Sequence, residues 1–102
     1  MSNAVVIKNG YARRVDTKTG SDRGSVGRSG AIDAASDGIY IVVVYNDGRA
    51  RRYDAGSGSD KGSVGSSGVG ACTISGGMII LRYGNGTSRR YDAKTGSDKG
   101  GI

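Results

Sequence analysis

The residues with the clearest chemical potential are paired arginines that recur every 38 residues. The motif Arg-Arg-(Val or Tyr)-Asp begins at Arg13, Arg51 and Arg89, and another basic residue follows in each copy. Basic groups that repeat in phase can bind phosphates, and the formal net charge of +6 agrees with such a role. The sequence therefore predicts a polyanion-binding surface made of Arg13, Arg14, Arg51, Arg52, Arg89, Arg90, Arg23, Lys61 and Lys99.

The same motif carries a repeated aspartate, at Asp16, Asp54 and Asp92, which invites comparison with catalytic carboxylates. A residue that recurs once per repeat is better explained by a structural turn, because active sites break repeat symmetry. The chain has no histidine, which excludes Ser-His-Asp and Cys-His nucleophile systems and histidine zinc sites. We therefore expect no enzyme activity, no catalytic residue, no metal site and no cofactor.

The single cysteine, Cys72, cannot form a disulfide within the chain, and Ala34 is its repeat equivalent. No histidine or adjacent base is available to lower the pKa of its thiol. We expect Cys72 to be buried as a small apolar side chain and to be functionally dispensable.

These residues belong to a repeat that organises the whole chain as one domain, 1–102. Residues 13–50 align with residues 51–88 without a gap, and residues 1–12 and 89–102 are partial copies. In the first partial copy, Val5-Val6 aligns with Val43-Val44. Strand-like runs flank three pairs that are strong hairpin signals: Asn9-Gly10, Asp47-Gly48 and Asn85-Gly86.

Turn residues divide the repeat into four short segments rich in Val, Ile, Thr and Tyr, which predict strands. The second segment, 39–45, is apolar on both faces, so both faces must be covered, as in a sheet that lies between two similar sheets. A unit of this length with four strands predicts an all-β fold, a partial β-propeller of about 2.7 blades. The four predicted segments are 31–36 and 69–74; 4–7, 39–45 and 78–83; 11–17, 49–55 and 87–93; and 21–26, 59–64 and 97–101.

The run Tyr91-Asp92-Ala93-Lys94-Thr95-Gly96 resembles the blade signature of quinoprotein-type and WD-repeat propellers. Residues 15–20 repeat the pattern, and residues 53–58 carry a softened copy. The resemblance implies the propeller fold. The chain has no tryptophan for the quinoprotein docking motif and no Gly-His pair, so neither quinone binding nor dehydrogenase activity is implied.

Fewer than three blades do not close a propeller, which typically has four to eight. We therefore expect the chain to complete its ring with further copies of itself. Joining the end of one copy to the start of the next gives three blades per chain, one of them lacking its first strand. Two chains make six blades and three make nine, and we favour the dimer. An excised fragment or an engineered repeat protein would also begin and end at these points of the repeat.

Three functional hypotheses follow. The preferred one is a self-assembling structural or binding scaffold; the second is a basic ring that binds nucleic acid or another polyanion. The third is a carbohydrate-binding lectin with a β-prism or trefoil-like fold closed by one chain, although its sugar motif would be incomplete here. The longest apolar run, 39–45, is too short for a membrane helix, and no signal peptide is evident, so a cytoplasmic location without a membrane partner is the default expectation.

Overall fold

The computed structural model describes residues 3–102, which form eleven β-strands. No helix in this range is long and apolar enough to cross a membrane. The strands are β1 (Asn3–Lys8), β2 (Tyr11–Asp16), β3 (Asp22–Val26), β4 (Ala31–Ser36), β5 (Tyr40–Tyr45), β6 (Ala50–Asp54), β7 (Asp60–Val64), β8 (Val69–Ser75), β9 (Met78–Tyr83), β10 (Ser88–Asp92) and β11 (Asp98–Gly101).

The strands form three antiparallel sheets in chain order, with three, four and four strands. We call them the first blade (3–26), the second blade (31–64) and the third blade (69–101). The predicted all-β fold with propeller blades is confirmed, and the ring is open. The self-closed β-prism is therefore wrong, because the sheets stand in an open row and do not close on themselves.

The glycine-rich segment of each repeat forms the outermost strand and contains a β-bulge. The register shifts at Arg14/Val15 in the first blade, and the equivalent shifts recur in the other two. Gly24 sits at this bulge with a φ of 107°, a conformation that favours glycine. The Asp22 carboxylate accepts a hydrogen bond from the Gly24 amide at 2.7 Å, which fixes the bulge.

The hydrophobic core lies between the blades, because each central strand is apolar on both faces. Ile41, Val43 and Tyr45 of β5 pack toward the first blade, in what we call the first junction. Val42 and Val44 pack toward the third blade, in the second junction. All five side chains are fully buried. The second blade is thus the centre of a three-layer stack, as the pattern of residues 39–45 predicts.

The first hairpin differs from the others by one residue. Ile7 lies opposite Ala12, whereas in the second blade Val44 lies opposite Ala50, the repeat equivalent of Ala12. The alignment of Val5-Val6 with Val43-Val44 is therefore wrong by one position. The cause is the tight turn at Asn9 and Gly10, which have φ values of 56° and 80° and alone separate the paired residues of β1 and β2.

A shift of one residue exchanges the two faces of a strand. Val5 consequently packs into the first junction. Val6 lies on the opposite face and is 47% exposed. The outer face of the first blade thus presents a side chain that has the strand position of the buried Val43.

Candidate functional site

The first arginine of each pair forms an ion pair within its own blade. Arg51 contacts Asp60 at 3.0 Å, and the equivalent pairs Arg13–Asp22 and Arg89–Asp98 are 2.6 Å and 2.9 Å long. The Arg51 hydrogen bond lowers the pKa of Asp60 below its ordinary value. These guanidinium groups are therefore partly neutralised by a neighbouring strand. Polyanion binding by the nine basic residues stays a prediction.

The second arginine of the pair connects neighbouring blades. Arg14 Nη1 donates to the main-chain oxygen of Gly56 in the second blade at 2.7 Å. Arg52 Nη1 donates to the oxygens of Ala93 and Lys94 in the third blade, at 3.0 Å and 2.9 Å. Each Nη2 also binds a carbonyl of its own outermost strand. The paired arginines thus have separate roles, one within the blade and one across the junction.

The repeated aspartates shape the turns that receive these arginines. The Oδ1 atoms of Asp16, Asp54 and Asp92 accept main-chain hydrogen bonds from the amides two residues ahead, at 2.8, 2.7 and 2.8 Å. Asp16 also forms a 2.6 Å ion pair with Arg23. The turn interpretation is confirmed. Arg14 reaches across the junction to Gly56, and the Asp16 carboxylate pairs with Arg23 instead.

Arg90 is the third member of this series, and no blade follows it within residues 3–102. Its Nη2 donates to the Lys99 oxygen at 2.9 Å, as in the other blades, but its side chain is exposed. Ile102 is likewise more exposed than its equivalents in the preceding blades. Its repeat equivalents Val26 and Val64 are 1% and 2% exposed, whereas Ile102 is 75% exposed. In the two preceding blades the counterparts of Ile102 are buried, whereas of the counterparts of Arg90 one is buried, Arg52, and one is partly buried, Arg14.

We call this surface of the third blade the trailing face, defined by Met78, Ile80, Arg82, Ser88, Arg90 and Ile102. A cavity of about 310 Å³ opens on it, lined by Ala71, Cys72, Thr73, Ile80, Arg82 and Ser88. The face is more polar than its counterpart in the second blade. Arg82 stands where the second blade has Val44, and Ser88 where it has Ala50. A junction formed at the trailing face would enclose more polar side chains, and therefore more water, than the two internal junctions.

The opposite end of the stack is the leading face of the first blade, defined by Val6, Lys8, Tyr11, Arg13 and Val15. Val6 and Tyr11 are 47% and 41% exposed. Lys8 has the strand position of the buried Tyr45, and Val15 is the repeat equivalent of Tyr53. The leading face therefore lacks counterparts of the paired tyrosines at the internal junctions, Tyr45 with Tyr53 and Tyr83 with Tyr91.

Those tyrosines form a feature that the sequence analysis missed. The hydroxyls of Tyr45 and Tyr53 lie 2.6 Å apart, and those of Tyr83 and Tyr91 lie equally close. The link between blades passes directly over each pair, so that a Cβ on Gly65 would lie 2.5 Å from the Tyr83 hydroxyl. Burial and the Tyr45 hydrogen bond raise the pKa of Tyr53. These pairs could have been found from the sequence, because both tyrosines recur at the repeat spacing.

Two aspartates, one in β4 and one in the turn after it, bind main-chain amides of the third blade. Asp33 Oδ2 accepts the Cys72 amide at 3.0 Å, and Asp37 Oδ2 accepts the Gly77 amide at 2.9 Å. Sequence reasoning missed both, because their repeat equivalents are Ala71 and Ser75 and no carboxylate recurs. These two contacts stabilise the second junction and have no equivalent at the first junction among the described residues.

The Asp37 contact is expected to make the second junction sensitive to acid. Burial opposes ionisation, but the amides of Tyr40, Ile39 and Gly77 outweigh it and lower the pKa of Asp37. A lowered folded-state pKa gives stability that is present above the unfolded value of about 3.9 and is lost as the pH falls through the folded value. We expect Asp37→Asn to reduce the acid-dependent loss of the thermal midpoint below about pH 5. An unchanged pH profile in this variant would contradict the assignment.

Cys72 is 6% exposed, and its sulfur lies 3.8 Å from the Val42 oxygen, so the predicted burial is confirmed. Burial, with a smaller contribution from Asp33, raises the pKa of the thiol to about 12. We expect slow thiol labelling of the folded chain at pH 8. Cys72→Ala should change the free energy of unfolding by at most about 1 kcal/mol, because only one sulfur is removed. Labelling as fast as in denaturant would show that the cysteine is accessible.

Comparison with solved structures agrees with this architecture. BamB from Moraxella catarrhalis is similar with a TM-score of 0.77 and 20% identity, over 99% of this chain and 33% of that chain. The computationally designed Ika8 protein gives 0.75 and 19%, over 98% and 34%. The N-terminal domain of Nup159 gives 0.67 and 10%, over 100% and 28%. No protein-family model matches the chain, and no curated protein matches it in sequence.

All three structural neighbours are propellers, so the chain has propeller-like blade repeats. It spans about a third of the length of each of them. At these identities the similarity concerns the fold alone.

Proposed function

We propose that the chain is a self-assembling β-propeller scaffold without catalytic activity. In this arrangement the trailing face of one copy packs on the leading face of the next. The observation that carries the proposal is the exposed pair Arg90 and Ile102, whose equivalents at both internal junctions hold the following blade.

The internal junctions supply the expected contact. Arg14 binds the oxygen of Gly56, and Arg52 binds that of Lys94, and these two acceptors occupy equivalent turn positions. The same position in the first blade is Lys18. Nη1 of Arg90 should therefore donate to the main-chain oxygen of Lys18 in another copy. Ile102 should pack beneath the same blade, as Val64 does at the second junction.

The stoichiometry follows from the number of blades. A junction between unlike faces generates a ring when the rotation closes. Two chains supply six blades, within the usual four to eight, whereas three supply nine. Apolar burial contributes about 25 cal/mol per Å², and the polar replacements at Arg82 and Lys8 reduce the apolar share. We therefore favour a dimer whose formation depends on concentration.

The test compares two neighbouring arginines that carry the same charge. Arg90→Ala should weaken self-association by about tenfold or more, because a charge-assisted hydrogen bond at the new junction is lost. Arg89→Ala removes only an exposed ion pair with Asp98 and should change the association constant by less than about threefold. Sedimentation velocity over a concentration series measures both effects.

Circular dichroism should show that both variants keep their strand content, since each side chain is exposed. Equal losses of association in the two variants would point to net charge as the cause and would overturn the proposed contact. Unchanged association in both would overturn the trailing face as the interface.

A further inference from the structure

One edge of the first blade is open where the other two blades carry a strand. Both edges of β5 are paired, by β4 and β6, and both edges of β9 are paired, by β8 and β10. The equivalent strand β1 pairs only with β2 among residues 3–102. It therefore leaves a row of main-chain N–H and C=O groups available to another strand.

The space beside this edge is bounded by β4. The Ala31 amide donates to the Gly10 oxygen at 2.9 Å, and the Val69 amide donates to the Gly48 oxygen at 2.8 Å. The start of the innermost strand therefore contacts the preceding hairpin turn in the same way at both junctions. Cys72 on β8 is buried at the second junction, whereas its equivalent Ala34 on β4 is only partly buried. The position from which an inner strand would cover Ala34 is open.

We propose that the free edge of β1 binds an extended peptide segment with small, uncharged side chains by strand addition. The innermost strands of the other blades define this chemistry. β4 and β8 consist largely of Ala, Gly, Ser and Thr, and Ala35 is the β4 side chain that packs into the second junction. A ligand residue in the position of Ala35 would face Ala34 and must be small.

The site disfavours acidic ligands. The Ala34 amide already donates to Asp33 Oδ1 at 3.0 Å, and the Ile39 amide donates to Asp37 Oδ1 at 2.9 Å. These amides correspond to those of Cys72 and Gly77, which the same aspartates bind in the third blade. A ligand carboxylate would therefore find its donors occupied and would lie beside two other carboxylates.

The other unpaired strand edges among residues 3–102 are the inner edges of β4 and β8 and the outer edges of β3, β7 and β11. Each offers a hydrogen-bond ladder to an added strand. A strand added to β1 gains the ladder and also packs on β4. This site is formed by the first blade and β4 of one chain. Peptide binding can therefore be tested independently of the proposed self-association.

The probe is a synthetic peptide with the sequence of residues 68–76 and the substitution Cys72→Ala, which carries no charged side chain. Titration followed by fluorescence anisotropy should show saturable binding at one peptide per chain, with NMR amide shifts confined to β1 and β4. Peptides N-methylated at alternate residues provide the matched control. Methylation of the peptide amides that point toward β1 should abolish binding. Methylation of the amides that point away from β1 should change the affinity by less than about threefold.

A tryptophan at the Thr73 position of the peptide, which would face β4, should weaken binding by about tenfold or more. Absence of saturable binding would overturn the proposal. It would also be overturned if both N-methylated sets acted alike, or if the amide shifts appeared at β3, β7 or β11.

Discussion

Val43→Asp is expected to leave the chain unfolded at 25 °C. Val43 is fully buried at the first junction, where its neighbours are apolar side chains of two blades. An unpaired carboxylate placed there costs several kcal/mol, a large fraction of the roughly 5–15 kcal/mol that stabilises an ordinary domain. Circular dichroism should show loss of the strand signal, and any self-association should be lost with it.

Val6→Asp is the matched control, because Val6 has the strand position of Val43 on the exposed leading face. This variant should keep its fold, with a change of about 0.5 kcal/mol or less in the free energy of unfolding. It should still weaken self-association. A folded Val43→Asp chain, or a Val6→Asp chain that unfolds equally, would contradict the one-residue shift and the placement of the core.

Arg52→Ala should destabilise the fold by about 2–4 kcal/mol, measured as the free energy of unfolding in urea. The Arg52 guanidinium is held by the main-chain oxygens of Ala93, Lys94 and Lys61. Its loss would leave polar groups at the second junction without their donor, and buried acceptors without donors are costly.

Arg51→Ala is the control for charge and chain position. Arg51 forms an exposed ion pair with Asp60, and such pairs contribute at most about 1 kcal/mol. Arg52→Lys should lie between wild type and Arg52→Ala, because an ammonium lacks the planar fork that reaches carbonyls of two blades. Equal destabilisation by Arg51→Ala and Arg52→Ala would show that the cross-junction contacts contribute nothing measurable.

The strands and their order could be predicted because their signals are local. Asp47-Gly48 marks a hairpin, and the apolar run 39–45 specifies a strand covered on both faces. The buried Cys72 followed from its equivalence to Ala34 and from the absence of any activating base. Each of these inferences needs only neighbouring residues or the repeat spacing.

The contacts between blades could not be predicted in the same way. The sequence alone does not show that Arg14 crosses to Gly56 while Arg13 stays with Asp22, because that depends on the distance between sheets. Asp33 and Asp37 carry no repeat signal at all. The shift in β1 arises from a turn shorter by one residue, although Asn9-Gly10 aligns with Asp47-Gly48.

Molar mass in solution, measured by light scattering over a concentration series, tests the central claim most directly. Self-association through the trailing and leading faces predicts a rise from the chain mass of 10.4 kDa toward twice that value as the concentration increases. A limiting mass of three chains would replace the six-blade ring by a nine-blade ring. A well-folded species that stays at 10.4 kDa throughout the series would contradict the self-assembling scaffold.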